Sequence, residues 1–128
     1  MKYDEFIKHV ESLAQVNSRE EAQRATRATL ETIKERIVGD EAKDLAAQLP
    51  KELGDCLRGR EGENGQLFGM QEFIERVSQK ENVEPTAAAI HVRAVFTVLQ
   101  QAVTPGEFAD VRANFSPDYA ELFAAPTV

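Results

Sequence analysis

The sequence predicts an all-α fold: a tandem duplication of a four-helix unit, two long and two short helices in each copy, packed as one compact helical domain. Three observations predict it. Apolar residues recur at helical spacing through most of the chain. Glycines, prolines and capping residues fall between those stripes rather than inside them. A seventeen-residue stretch is stated twice, as EAKDLAAQLPKELGDCL over 41–57 and as EFADVRANFSPDYAELF over 107–123. Glu41 answers Glu107, Asp44 answers Asp110, and apolar residues answer each other at Leu45/Val111, Leu49/Phe115 and Leu53/Tyr119.

The first helix is expected over about 3–15, with Tyr3, Phe6, Ile7, Val10, Leu13 and Ala14 on one stripe. Ser18 and Glu21 have capping-box spacing and open a second helix that runs to about Val38. Its apolar face is Ala22, Ala25 or Thr26, Thr29/Leu30, Ile33 and Ile37, and its other face, from Glu20 to Glu35, reads as solvated charge. Gly39 is placed to end that helix in a left-handed conformation, and Asp40 to cap a short third helix over about 41–48. Pro50 then separates a fourth, over about 50–58. This is internal repeat 1, about 3–58.

Residues 58–66, RGREGENGQ, combine glycine with charge and read as the linker, the most mobile internal segment and the favoured protease site. Internal repeat 2 follows over about 68–123. Phe68 and Phe73 have the spacing of a hydrophobic staple around a Gly69 cap, so a helix is expected over about 70–80. Pro85 opens a long helix to about Val103 whose one charge is Arg93, which places it at the centre of the domain or on a dimer surface. Thr104, Pro105 and Glu107 open the next helix, to about Asn114, and Ser116-Pro117 opens the last, to about Phe123. Ala124 to Val128 are expected to fray. The two copies match at an offset of 67 in the first helix (Glu5 to Glu72) and 66 in the second (Arg27 to Arg93), so the single-residue change falls in a loop.

Composition narrows the function classes. The chain has 128 residues, 42% of them hydrophobic, and a formal charge of −7 from 22 acidic and 15 basic residues. No Lys/Arg run stands out, which disfavours nucleic acid as a partner. The opening MKYDEF lacks an apolar leader core and no stretch reaches membrane-spanning length, so a cytoplasmic protein without a membrane partner is expected. The single cysteine, Cys56, excludes an internal disulfide and falls on an apolar stripe as a small buried hydrophobe.

His9, His91 and Cys56 form no ligand-spaced pair, so neither a metal nor a cofactor is expected. The pairs Glu41/Asp44 and Glu107/Asp110 have the donors for a hard cation, but sit in helical first turns where capping and the dipole account for them. No nucleophile lies beside a base, so the expectation is no enzyme. His91, at the edge of an apolar stripe, reads as a core-edge histidine with one hydrogen bond; with Phe96 and Phe73 it is also the candidate lining of a ligand pocket. Hairpin register places Glu5 near Arg27 and Glu72 near Arg93, two repeated ion pairs that would brace each hairpin, or two arginines that would line an anion pocket.

Tyr3-Asp4-Glu5-Phe6-Ile7, Arg27-Ala28 and Leu45-Ala46-Ala47-Gln48-Leu49-Pro50, with Glu72-Phe73-Ile74-Glu75-Arg76-Val77, Arg93-Ala94-Val95 and Tyr119-Ala120-Glu121-Leu122-Phe123, resemble the bacterial domain-of-unknown-function family 2267 across nearly the whole chain. Asn114-Phe115-Ser116 departs from the Gln-Leu-Pro usual in its second copy. The resemblance implies a small all-helical bacterial protein and carries no established activity or catalytic residue. An interaction or scaffolding module, with a protein partner or a second copy, is the expectation; a small-molecule sensor with an apolar pocket between the repeats is the alternative.

Overall fold

The computed structural model describes residues 1–124, and the fraying expected at the end of the chain lies outside them for residues 125–128. Every regular element among the described residues is helical: α1 (Tyr3–Ala14), α2 (Arg19–Arg36), α3 (Gly39–Ala47), α4 (Lys51–Gly54), α5 (Met70–Glu81), α6 (Pro85–Ala102), α7 (Pro105–Arg112) and a closing 3₁₀ helix (Pro117–Phe123). The last element is tighter than the α-helix expected, and at seven residues it is long for a 3₁₀ helix. The matching starts lie 67, 66, 66 and 66 residues apart: Tyr3 to Met70, Arg19 to Pro85, Gly39 to Pro105 and Lys51 to Pro117.

Local chemistry explains the boundaries. Ser18 Oγ accepts the Glu21 N–H at 3.2 Å and starts α2. Gly69 opens α5, and the flanking Phe68 and Phe73 rings meet at 6.3 Å as a staple. α1 and α5 both end on a left-handed residue, Gln15 (φ 54°) and Asn82 (φ 58°), where a glycine stop was not available in the sequence.

Gly39 has another role from the one its sequence context suggests. It is the first residue of α3 rather than a left-handed stop, and a Cβ there would lie 1.6 Å from the Arg60 carbonyl oxygen. The backbone of the 58–66 segment approaches that closely because it is fastened. Gly39 N–H donates to Glu63 O at 2.8 Å, Gln66 N–H donates to Glu35 O at 2.9 Å, and Gly62 N–H donates to Asp40 Oδ1 at 2.8 Å. Asp40 therefore holds the linker instead of capping α3, and the linker is a fitted strap across the α2–α3 corner rather than a free tether.

The long helices interleave. α1 packs on α2 and α5 on α6, but α1 also packs on α6, α2 on α5, and α2 on α6. α6 is thus one member of a central pair with α2, not a lone axis. The core is a single cluster running from Phe6, Ile7 and Val10 through Leu30, Ile33 and Leu45 to Phe73, Phe96 and Tyr119. At the far end α3 packs against α7. No helix is long and apolar enough to cross a membrane among the described residues.

Candidate functional site

The α3–α7 contact is built by an exchange of caps. Thr104, before α7, donates its N–H to Gln48 Oε1 at 2.8 Å, and Gln48 Nε2 donates to Thr104 Oγ1 at 3.3 Å. Val38, before α3, donates its N–H to Asn114 Oδ1 at 3.2 Å. Each helix start is capped by the amide side chain at the end of the other helix. Thr104 Oγ1 still accepts the Glu107 N–H at 3.2 Å, which is half of a capping box. The other half does not form, because the N–H that the third-position glutamate would take belongs to Gln48.

Two glutamates are released by this exchange. Glu41 and Glu107 occupy the third positions of α3 and α7, and with Asp110 they bring carboxylate oxygens within 4.8 Å of one another. Glu107 is 9% exposed. One oxygen of Glu41 and one of Glu107 are buried without a protein hydrogen-bond partner. Burial, and then the Glu41 carboxyl with Asp44 and Asp110 beyond it, push the Glu107 carboxyl up to about 8. First-turn capping does not account for this pair of acids. The sequence placed them correctly, but could not tell that two distant first turns face each other.

The expected hairpin braces are corrected. The ion pairs among the described residues join neither Glu5 to Arg27 nor Glu72 to Arg93. Asp4 pairs with Arg19 at 2.6 Å across the first loop. Glu72 pairs with Arg76, one turn on, at 2.6 Å; Arg76 lies 3.7 Å from the centre of the Phe68 ring and reaches Glu35 at 3.1 Å. Lys80 joins the same Glu35 at 3.0 Å. Burial raises the Glu35 carboxyl, but the Lys80 and Arg76 contacts outweigh it and hold it below the usual range. The face of α2 read as merely solvated is here a bridge to α5. Arg93 instead turns outward to Glu121 at 3.6 Å.

His91, Phe73 and Phe96 do not form a common ligand lining. Phe73 and Phe96 meet edge-on at 5.8 Å within a ring cluster completed by Phe115, Tyr119 and Phe123, so the expected space is filled with protein. His91 is buried and its Nδ1 lies 2.8 Å from Glu81 Oε1, the one-partner histidine the sequence favoured. Cys56 is half-buried against the core, and burial pushes its thiol up, away from the reactive thiolate.

One open groove of about 430 Å³ lies on the outer side of α6. Leu13 of α1, Ile74 of α5, Ile90 and Arg93 of α6, and Leu122 of the 3₁₀ helix line it. Leu13 and Ile90 are 45% and 54% exposed, so the end of the α1 stripe faces the groove instead of the core.

Sequence reasoning missed Arg36. It is 4% exposed at the end of α2, donates to Phe68 O at 2.8 Å and Asn114 O at 2.9 Å, and lies 5.5 and 5.3 Å from the Phe115 and Tyr119 ring centres. Its position on the buried face of α2, three residues after Ile33, was the available signal.

Comparison with proteins of curated function finds none that matches. Residues 3–122 match the model of the family described as "Uncharacterized conserved protein (DUF2267)", in keeping with the helical order and the motifs that place these side chains; the chain belongs to that family.

Proposed function

We propose that this protein is a non-enzymatic cytoplasmic interaction module, built by tandem duplication of a four-helix unit, and that it pairs with a second copy of itself through the groove on α6. The duplication is supported by the element starts 66 or 67 residues apart, by the matched left-handed ends at Gln15 and Asn82, and by the exchanged caps, since Val38 answers Thr104 and Gln48 answers Asn114 at the offset of 66.

One observation carries the interaction reading. Under that offset Ile90, Arg93 and Thr97 of α6 correspond to Arg24, Arg27 and Glu31 of α2. The surface pocket on α2 is lined by Arg24, Arg27, Ala28, Glu31 and Lys80. The same place in the unit therefore carries Arg24, Arg27 and Glu31 on α2, but only the one charge of Arg93 beside Ile90 and Thr97 on α6, and a solvated face has no need of Ile90 at 54% exposure. The groove also suits its own duplicate. It has a projecting Ile90 beside a hollow, and opposite charges, Arg93 and Glu121, on its rim. A twofold pairing sets Ile90 of each copy into the hollow of the other and exchanges those charges.

Sedimentation velocity over a range of concentrations tests this. The wild-type chain is expected to pass from monomer to dimer, and Ile90→Asp to stay monomeric with unchanged helicity. A wild type that stays monomeric throughout defeats the pairing. The volume of about 430 Å³ also lies within the span of small-ligand sites, about 300 to 1,000 Å³. A monomeric wild type that binds an apolar fluorescent dye, with binding lost in Ile90→Asp, favours the small-molecule sensor instead.

A further inference from the structure

We propose that Glu41, Glu107 and Asp110 form a binding site for a hard divalent cation, with calcium as its probe, at the α3–α7 seam, with Asp44 at its edge. The argument begins with the exchanged caps. Gln48 and Asn114 satisfy the N–H groups that third-position glutamates ordinarily take, so neither glutamate is held by its own helix. Both instead turn toward each other, against Coulomb repulsion and, for Glu107, against the cost of burial.

Burial of Glu107 at 9% exposure, with one oxygen buried and without a hydrogen-bond partner, is the second observation. A carboxylate oxygen so placed calls for a positive occupant. The crowding of three carboxylates at one place is relieved by one.

Geometry allows one ion to reach all three groups, and donor type narrows its class. Two oxygens on one hard divalent cation stand at most about 4 to 5 Å apart, twice the metal–oxygen distance. The three oxygens here lie within 4.8 Å of one another. Carboxylates alone suit a hard cation rather than one that prefers thiolate or imidazole. Asp110 is exposed, so water can complete the shell from that side. The site needs both halves of the chain: α3 supplies Glu41 and α7 supplies Glu107 and Asp110.

The rival occupant is a single proton shared by Glu41 and Glu107. Calorimetric titration of the full chain with calcium chloride at neutral pH and matched ionic strength separates the two. Saturable one-site binding is expected, accompanied by a rise in melting temperature. Glu107→Gln, which keeps the shape, and Asp110→Asn, on the exposed side, are each expected to weaken binding about tenfold or more while circular dichroism stays unchanged. A wild type with no saturable heat and no thermal shift at millimolar calcium overturns the proposal, as does binding that both variants leave intact. If Glu107→Gln does not fold, Asp110→Asn alone decides between these outcomes.

Discussion

The Arg36 guanidinium donates to carbonyls of two segments far apart in sequence while two aromatic rings face it. Arg36→Met keeps the apolar stem but leaves Asn114 O without its charged donor, so a loss of about 3 kcal/mol is expected in chemical denaturation. Tyr119 supplies a companion test. Its hydroxyl donates to Phe68 O at 2.7 Å, the same oxygen that Arg36 Nε reaches, so Tyr119→Phe leaves that carbonyl paired and is expected to cost only about 1 kcal/mol. Burial pushes the phenol up to about 12 from its ordinary 10. The folded state thus holds the proton more tightly than the unfolded chain. The stability from this group is complete below pH 10 and lost as pH rises from 10 through 12. Denaturation midpoints along that range are expected to fall more steeply for wild type than for Tyr119→Phe. Helical periodicity had the means to put Arg36 on a buried face, three residues after Ile33, but it carries no sign of what lies opposite, because its partners are backbone carbonyls some 32 and 78 residues away. Glu5, Glu72, Arg27 and Arg93 failed as pairs for a related reason. Register fixes which backbones adjoin, whereas a long side chain chooses among every charge within its reach.

Among the elements, the strap over 58–66 makes the sharpest contrast. Gly39→Ala drives a Cβ into the Arg60 carbonyl, and a cost of about 2 to 3 kcal/mol is expected. Gly106, in the first turn of α7, meets nothing within 4 Å, and Gly106→Ala is expected to be neutral or to gain up to about 1 kcal/mol. Thermal melts of the two variants side by side check both signs. Hydrogen exchange adds a direct view: the Gln66 and Gly62 amides, bonded to Glu35 O and Asp40 Oδ1, are expected to exchange more slowly than unbonded amides of the same segment. Helix ends were readable because caps and prolines act locally. The strap was not, because glycine and charge in a row describe both a free tether and a chain that must pass close to another backbone.

Over the whole molecule, the interleaving of α1 with α6 and of α2 with α5 leaves neither half with a core of its own. Fragments divided within the strap, each carrying one half, are expected to be largely unfolded alone and to regain helicity when mixed, as circular dichroism can follow. The intact chain is expected to melt in one transition. The offset of 66 to 67 between matching helix starts was legible because it lies in the order of residue types; the way the two halves of the chain clasp each other depends on shape, and only the structure supplies it.

The contrast between Ile90 on α6 and Arg24 on α2 sets a limit on assembly. A chain with two equivalent adhesive faces links onward without end, whereas one adhesive face gives a valence of one. Under the proposed pairing, whatever settles on the α6 face closes the complex and association stops at a pair, and an Arg24→Ile exchange that restores the missing face is the change that would turn a self-limiting particle into a fibre-former.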